Sequence, residues 1–402
     1  MQYEVVCPAG KDDDAHLLKQ VVPPFCNEAL SFVDEFSRQL LNSPVAKKYP
    51  ELMALGFWMR KGRIAHLKND FEQSHKNRVL QGRGTVFHIA PANVDTLFVY
   101  SWFLSLLVGN INIVRLSGTT SPQLTILIDV FNDLLEQERF ASIHQRTLLI
   151  RYVHDDEVTG YFSGRCDVRV IWGGDATIQH IRSIPVPPTA VEIPFADKFS
   201  LSVIDAATFN QDNEQSTVID RFYNDAYWFG QLACSSPRLL VWVGSAGVVQ
   251  TAQEAWWPLL EEKTIQARPE LSAADVMNKI VTADMMAINY PHVKICRDKH
   301  GYIYRVQVHS LGDVDEQIHC GGGLFFETSI DTLTELAPYI SGRNQTVTSF
   351  GFSNNDWRHW LKSSRPAGID RIVPMGQALN FSAVWDGVDL LRSFCREITV
   401  EV

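Results

Sequence analysis

The feature that most limits how this chain can fold is an alternation that begins at Gly84 and runs to Ile204. Short apolar runs, rich in β-branched and aromatic residues, take turns with longer segments patterned at helical spacing. Residues 85–90, 111–117, 147–153 and 167–172 read as strands. Between them, a buried helix through Val108, residues 123–137, a stretch ending at Ser163, and residues 175–183 read as helices. Residues 191–204 add one or two further strands. Strand and helix in strict alternation predict an α/β domain with a parallel sheet covered on both faces. On such sheets ligands bind at the carboxyl ends of the strands.

The flanks read differently. Before Gly84, Leu30, Val33, Phe36, Leu40 and Leu41 fall at helical spacing, as do Leu52, Leu55, Trp58 and Met59. Everything up to about His75 reads as helical, an arm packed on a larger body. After Ala206 the pattern is again mixed. A helix over 222–231 leads into Cys234, and a strand over 238–243 follows. Gly321-Gly-Gly323 makes a sharp loop before another apolar run. The expected organisation is residues 1–205 as arm and nucleotide-binding domain, 206–374 as catalytic domain, and 375–402 as a segment that returns to the first domain or serves oligomerisation.

Charge and cysteine content narrow the function. The net charge of −10 argues against nucleic acid or an anionic membrane as the main partner. The most apolar run, 96–109, is too short for a membrane span. The seven cysteines are scattered and odd in number, with no metal-ligand spacing, so neither a disulfide framework nor a metal site is expected. Residues 1–14 are acidic and lack a signal pattern, which leaves the cytoplasm as the expected compartment.

Four places carry chemistry. Cys234 sits among small and polar residues, after Gly230-Gln231 and before Pro237-Arg238. That setting offers room and a polar field to a thiolate, although most cysteines are inert buried thiols. Asn93, in the turn after the strand at 85–90, is either an oxyanion donor or a capping residue. Arg115 ends a strand beside Ser117 and Thr119. It is either a contact for a ribose or its 2′-phosphate, or a solvated arginine. Gly173-Gly174 opens a helix after a strand, which is either a phosphate cradle or a tight turn.

Taken in order, these blocks resemble the LuxC-type acyl-CoA reductases of bacterial luminescence systems, within the aldehyde dehydrogenase superfamily. The blocks are 84–93, 109–117, 172–177, 229–238, His319-Cys-Gly-Gly-Gly323, Gln345-Thr-Val347, 371–377 and Trp385-Asp-Gly387. The resemblance implies a Rossmann-type nucleotide-binding domain, an α/β catalytic domain and a small oligomerisation element. It makes Cys234 the nucleophile and Asn93 the oxyanion donor. Arg115 takes the place of the ribose-contacting lysine, with Ser117 beside it, and Gly173 and Gly174 lie by the cofactor pyrophosphate. It implies NADPH as cofactor and a homo-oligomer. The implied substrate is an acyl thioester, either acyl-CoA or an acylated partner protein such as an acyl-activating synthetase.

One departure bears on the direction of the reaction. Where hydrolytic members carry a water-activating glutamate, this chain has Pro194-Phe-Ala-Asp-Lys198, with Glu192 two residues before it. Unless Glu192 substitutes, a thioacyl-enzyme here is suited to reduction rather than hydrolysis. The competing readings are an oxidative NAD(P)-dependent aldehyde dehydrogenase and a cofactor-free acyl carrier that uses Cys234.

Overall fold

A computed structural model of the chain describes residues 2–76, 78–91, 96–118, 120–267, 271–290 and 292–401. These fall into two compact units, residues 1–197 with 381–402, and residues 198–380.

The first unit is built on a six-stranded sheet. Its strands are β1 (Glu4–Cys7), β3 (Thr85–Ile89), β4 (Ile111–Leu116), β5 (Thr147–Arg151), β6 (Val168–Trp172) and β7 (Val191–Phe195). The order across the sheet is β1-β5-β4-β3-β6-β7. All neighbours run parallel except β1, which closes one edge antiparallel to β5. The chain therefore steps outward from β3 through β4 to β5, then returns to place β6 on the other side of β3. The crevice between β3 and β6 is the topological switch point, where open α/β sheets bind ligands.

The helices of this unit are α1 (Asn27–Asn42), α2 (Pro50–Trp58), α3 (Lys61–Ser74), α4 (Leu97–Leu107), α5 (Pro122–Leu135), the short α6 (Ala141–His144), α7 (Asp156–Ser163) and α8 (Asp175–Ser183). In α1 the buried residues Ala29, Phe32, Val33, Phe36 and Leu40 form one stripe. Phe32 and Phe36 pack edge-on against Trp102 and Phe103 of α4, and Phe36 stacks on Phe131 of α5. That explains why α4 is buried on every side: it lies beneath the arm as well as on the sheet. A short strand β2 (Val79–Gly82) pairs antiparallel with Cys395–Ile398.

Two local differences from the sequence reading have plain causes. Glu4–Cys7, read as part of the helical arm, is a strand, because it pairs with β5 across a long separation that no local pattern reveals. The apolar stretch 191–204 is two strands that belong to different sheets, β7 in this unit and β8 (Phe199–Asp205) in the second.

The second unit carries a seven-stranded sheet. Besides β8 its strands are β9 (Pro237–Val243), β10 (Lys294–Arg297), β11 (Tyr304–Gln307), β12 (Leu324–Ile330), β13 (Asn344–Phe350) and β14 (Arg371–Pro374). The order is β10-β11-β12-β9-β8-β13-β14, parallel except for the β10–β11 hairpin. Successive residues of β9 feed opposite cores. Leu239 and Val241 face a core closed by Trp357 and Trp360, whereas Leu240 and Trp242 face one closed by Phe222 and Trp256. The helices used below are the short α9 (Ala206–Gln211), then α10 (Gln215–Tyr227), α11 (Ala246–Ala267) and α12 (Ala273–Asn289).

Both ladders beside the start of β8 slip out of register. On β13, Asn344 pairs with Phe199 and Val347 with Leu201, so three steps match two. On β9, Pro237 pairs with Ser200 and Leu239 with Leu201, so two steps match one. Such bulges re-aim side chains and recur beside functional sites.

Candidate active site

In the second unit the amino ends of β8, β9, β12 and β13 converge on the loop that holds Cys234. The sequence pattern extends a helix to Gln231, but α10 stops at Tyr227. Phe229, Gly230 and Gln231 then adopt φ of 54°, 62° and 64°, left-handed conformations that only a strongly held loop retains. What holds it is Gln231. Its fully buried side chain donates to the carbonyls of Pro237 and Leu324, both at 3.0 Å, and accepts from Gly323 N–H at 2.9 Å.

The Gly321–Gly323 loop is the other half of this knot. A Cβ on Gly321 would lie 2.6 Å from the Gly230 carbonyl, and one on Gly323 would lie 2.4 Å from that of Tyr302. All three glycines have positive φ. Gly322 N–H donates to Gly230 at 2.9 Å. From α12, the fully buried Lys279 donates to the carbonyls of Gly322 at 2.7 Å and Tyr302 at 3.0 Å.

Cys234 itself is half-buried. The Ser200 hydroxyl donates to its carbonyl at 2.6 Å and accepts from Thr346 N–H at 3.2 Å, tying both neighbouring strands to the loop. The amide of Gln345 lies 3.5 Å from the sulfur as a donor. Arg238, the second residue of β9, is also buried. His319 is held well below its ordinary value by its enclosure, with Arg238 adding to the effect, so the ring is neutral. Its Nδ1 accepts from Gly321 N–H at 3.2 Å, which leaves the proton on Nε2.

Four of the other thiols are shifted upward. Burial pushes Cys166 and Cys395 up to about 12 and Cys7 higher still. Cys320 is also raised, chiefly by burial. These four are protonated thiols at neutral pH, inert as nucleophiles.

In the first unit, Arg115 lies near the carboxyl end of β4. It lines a cavity of about 270 Å³ with Ile89, Tyr152, Thr159, Thr177 and Ile181. Those residues come from the ends of β3 and β5 and from α7 and α8, so the cavity sits on the carboxyl edge of the sheet. The Arg115 guanidinium is 5.2 Å from the Tyr152 ring centre, and its shielded Nε has no hydrogen-bond partner among the described residues. Asp155 caps α7, and Asp156 pairs with His180 at 2.8 Å.

Gly173 and Gly174 join β6 to α8 at the switch point. The Gly173 amide donates to Phe195 at 3.2 Å, and nothing lies within 4 Å of the space a Gly174 side chain would take. Ser117 follows β4 and is partly exposed. Asn93 lies outside the described residues, as does Thr119. Glu192, the alternative base, is bound by two guanidiniums, Arg169 and Arg182, the latter at 2.8 Å.

The cavity at the strand ends combines apolar and hydroxyl side chains and the Arg115 guanidinium with the carboxylates of Asp155 and Asp156, groups that can hydrogen-bond the hydroxyls of an adenosine ribose. Among the described residues no group of three or more His, Cys, Asp or Glu is placed to hold a metal ion, and no helix is long and apolar enough to cross a membrane.

A family model described as Acyl-CoA reductase (LuxC) matches residues 62–397. The chain belongs to the LuxC acyl-CoA reductase family. No curated protein matches the sequence. Solved structures show where the LuxC fold lies. An NAD-dependent benzaldehyde dehydrogenase from Corynebacterium glutamicum is similar with a TM-score of 0.66 at 10% identity, over 94% of this chain and 85% of that one. An NAD-dependent aldehyde dehydrogenase from Sinorhizobium meliloti gives 0.66 at 11% identity, over 93% and 82%. Proline utilization A from Bradyrhizobium japonicum, as its D778Y mutant, gives 0.65 at 12% identity, and this chain spans only 43% of that protein. At such identities the likeness is one of fold: this LuxC family member is an aldehyde-dehydrogenase-like α/β protein with Rossmann-type sheets. Acyl-CoA reductases are oxidoreductases, and the family and fold imply a nicotinamide cofactor.

Sequence reasoning singled out Cys234, Arg115, Ser117, Gly173 and Gly174. It noticed Gln231 as a neighbour of Cys234 and the triple glycine as a sharp loop, without their mutual hydrogen bonds. It missed Ser200 and Lys279 altogether, and saw Gln345 only as part of a resembling block. The one available signal was that Gln231, Gly321–Gly323 and Gln345 all fell within blocks shared with the family.

Proposed function

We propose that this family member reduces a fatty acyl thioester to an aldehyde with NADPH, through a thioester on Cys234. The observation that carries the reading is the Cys234 loop. It places a half-buried thiol three residues after a left-handed turn locked by Gln231, with the Gln345 amide 3.5 Å from its sulfur.

Cys234 as thiolate attacks the acyl carbonyl, the donor thiol leaves, and a thioester remains on the sulfur. A thioester stays electrophilic towards hydride where a carboxylate does not. Bound NADPH supplies that hydride. The thiohemiacetal then expels Cys234 as thiolate and releases the aldehyde. Asn93 is proposed as the oxyanion donor. Arg115, with Ser117 beside it, is proposed to hold the adenosine ribose and its 2′-phosphate, and Gly173 and Gly174 to let the pyrophosphate approach the backbone. Glu192 does not replace the missing water-activating base in this reading, because two arginines already engage it. That supports reduction over hydrolysis and over the oxidative alternative.

The test is NADPH oxidation across acyl-CoAs of increasing chain length, with the aldehyde trapped as a hydrazone. Aldehyde in step with NADPH consumption, lost in Cys234→Ala, is the expected result. Full turnover in Cys234→Ala, or steady carboxylate production from aldehyde without added thiol, would overturn it.

A further inference from the structure

The Gln345-Thr-Val347 block, which the proposed mechanism leaves unused, stands against the sulfur. The Gln345 side chain is 2% exposed, and its Nε2 lies 3.5 Å from Cys234 Sγ. The orientation of the amide is fixed from its other side, since the Thr346 hydroxyl donates to Oε1 at 3.4 Å. The backbone is fixed as well. Asp370 N–H donates to the Gln345 carbonyl at 2.8 Å, and Thr346 N–H donates to Ser200 Oγ at 3.2 Å. That Ser200 hydroxyl also donates to the Cys234 carbonyl, so one side chain spaces the two segments. Gln345 stands within the bulge of β13, where the ladder with β8 gives three steps to two. A bulge at that point breaks the alternation of faces along the strand and re-aims the side chain.

We propose that Gln345 is a catalytic residue, whose side-chain amide donates to the Cys234 sulfur and stabilises it as the thiolate. The inference rests on Cys234 being the nucleophile. A thiol sulfur is a weak acceptor and a thiolate a strong one, so the contact favours loss of the proton. An acylated sulfur is again a weak acceptor. The contact therefore acts twice: when the thiolate forms before attack, and when the thiohemiacetal collapses. In that collapse the C–S bond breaks, its electron pair returns to sulfur, and the hydroxyl proton leaves as the aldehyde C=O forms. The His319 ring, held neutral, adds no charge to this edge.

The test uses the full-length protein and two variants that remove the donor. Gln345→Met keeps the length of the side chain, and Gln345→Glu keeps its outline and adds a negative charge. Thermal unfolding identifies which variants are folded. The pH midpoint of iodoacetamide alkylation, mapped to Cys234 by peptide mass, is measured alongside single-turnover acylation by acyl-CoA. In Gln345→Met the midpoint is expected to move up, with acylation at pH 7 slowed roughly tenfold to a hundredfold. Raising the pH until the thiol is fully ionised should restore most of the acylation rate, which a merely structural defect would not do. Gln345→Glu should move the midpoint further up. An unchanged midpoint and acylation rate in either folded variant would overturn the proposal. Cys234→Ala separates this result from the wider reading. If it keeps full turnover, the nucleophile is elsewhere and both ideas fall. If it is inactive while the Gln345 variants match wild type, only the role of Gln345 falls.

Discussion

At the scale of single residues, the proposed chemistry makes predictions that do not depend on one another. Asn93→Ala should cost roughly 10²–10³ in kcat if its amide serves the oxyanion. Steady-state kinetics with saturating acyl-CoA would show this, and an unchanged kcat would leave Asn93 as a capping residue. Arg115→Ala should lower kcat/KM for NADPH more than for NADH, because a 2′-phosphate depends on the cation and a bare ribose does not. Equal losses for the two coenzymes would remove the phosphate from the role of Arg115. The sequence could nominate Cys234 for the proposed role, because small and polar neighbours suit a nucleophile and the stretch lies in a block shared with the family. Gln345 was not, because what marks it is a register slip between strands distant in sequence. Ser200 was invisible for the same reason: its hydroxyl matters only once β8 and the Cys234 loop are side by side.

At the scale of elements, β3 carries a prediction about acid. His88 is wholly buried on that strand, between Ser101 Oγ at 2.8 Å and Asn112 Oδ1 at 3.1 Å. Asn112 is itself oriented by donating to the Asn110 carbonyl. The ring is therefore neutral, its Nε2–H donating to Asn112 and its Nδ1 accepting from Ser101. Burial, opposed by the Asn112 hydrogen bond, lowers His88 to about 4. An unfolded histidine titrates near 6.5, so the folded state loses stability as pH falls from about 6.5 through about 4. The contribution is complete above that window. Wild type should show a falling unfolding midpoint across it, and the slope should be shallower in His88→Gln. Parallel slopes would place the acid sensitivity elsewhere. Most of the elements around this strand were legible, because alternating apolar runs and amphipathic segments are local patterns. Strand β1 and the left-handed turn at Phe229–Gln231 were not. The first exists only through pairing with β5, and the second only because Gln231 finds its partners at Pro237, Leu324 and Gly323.

At the scale of the molecule, residues 381–402 belong to the first unit, although residues 198–380 of the second separate them from the rest of it. Cys395–Ile398 pairs with β2. The carbonyls of Ser393 and Phe394 accept from Arg83 Nε at 2.8 Å and Asn110 Nδ2 at 3.1 Å. Phe381 stacks on Tyr100 of α4. A chain ending at residue 380 should therefore lose the cooperative unfolding of the first unit and become sensitive to proteolysis within residues 79–116, while the second unit stays protected. Wild-type protection of 79–116 in the truncated chain would contradict this. The same connection orders events during translation. The strand that completes the first unit is made after the whole of the second, so the nascent chain can finish its inserted unit while the host unit waits with an open edge at β2. Until residues 381–402 emerge, α4 lacks part of its cover, a span in which a chaperone has something to hold.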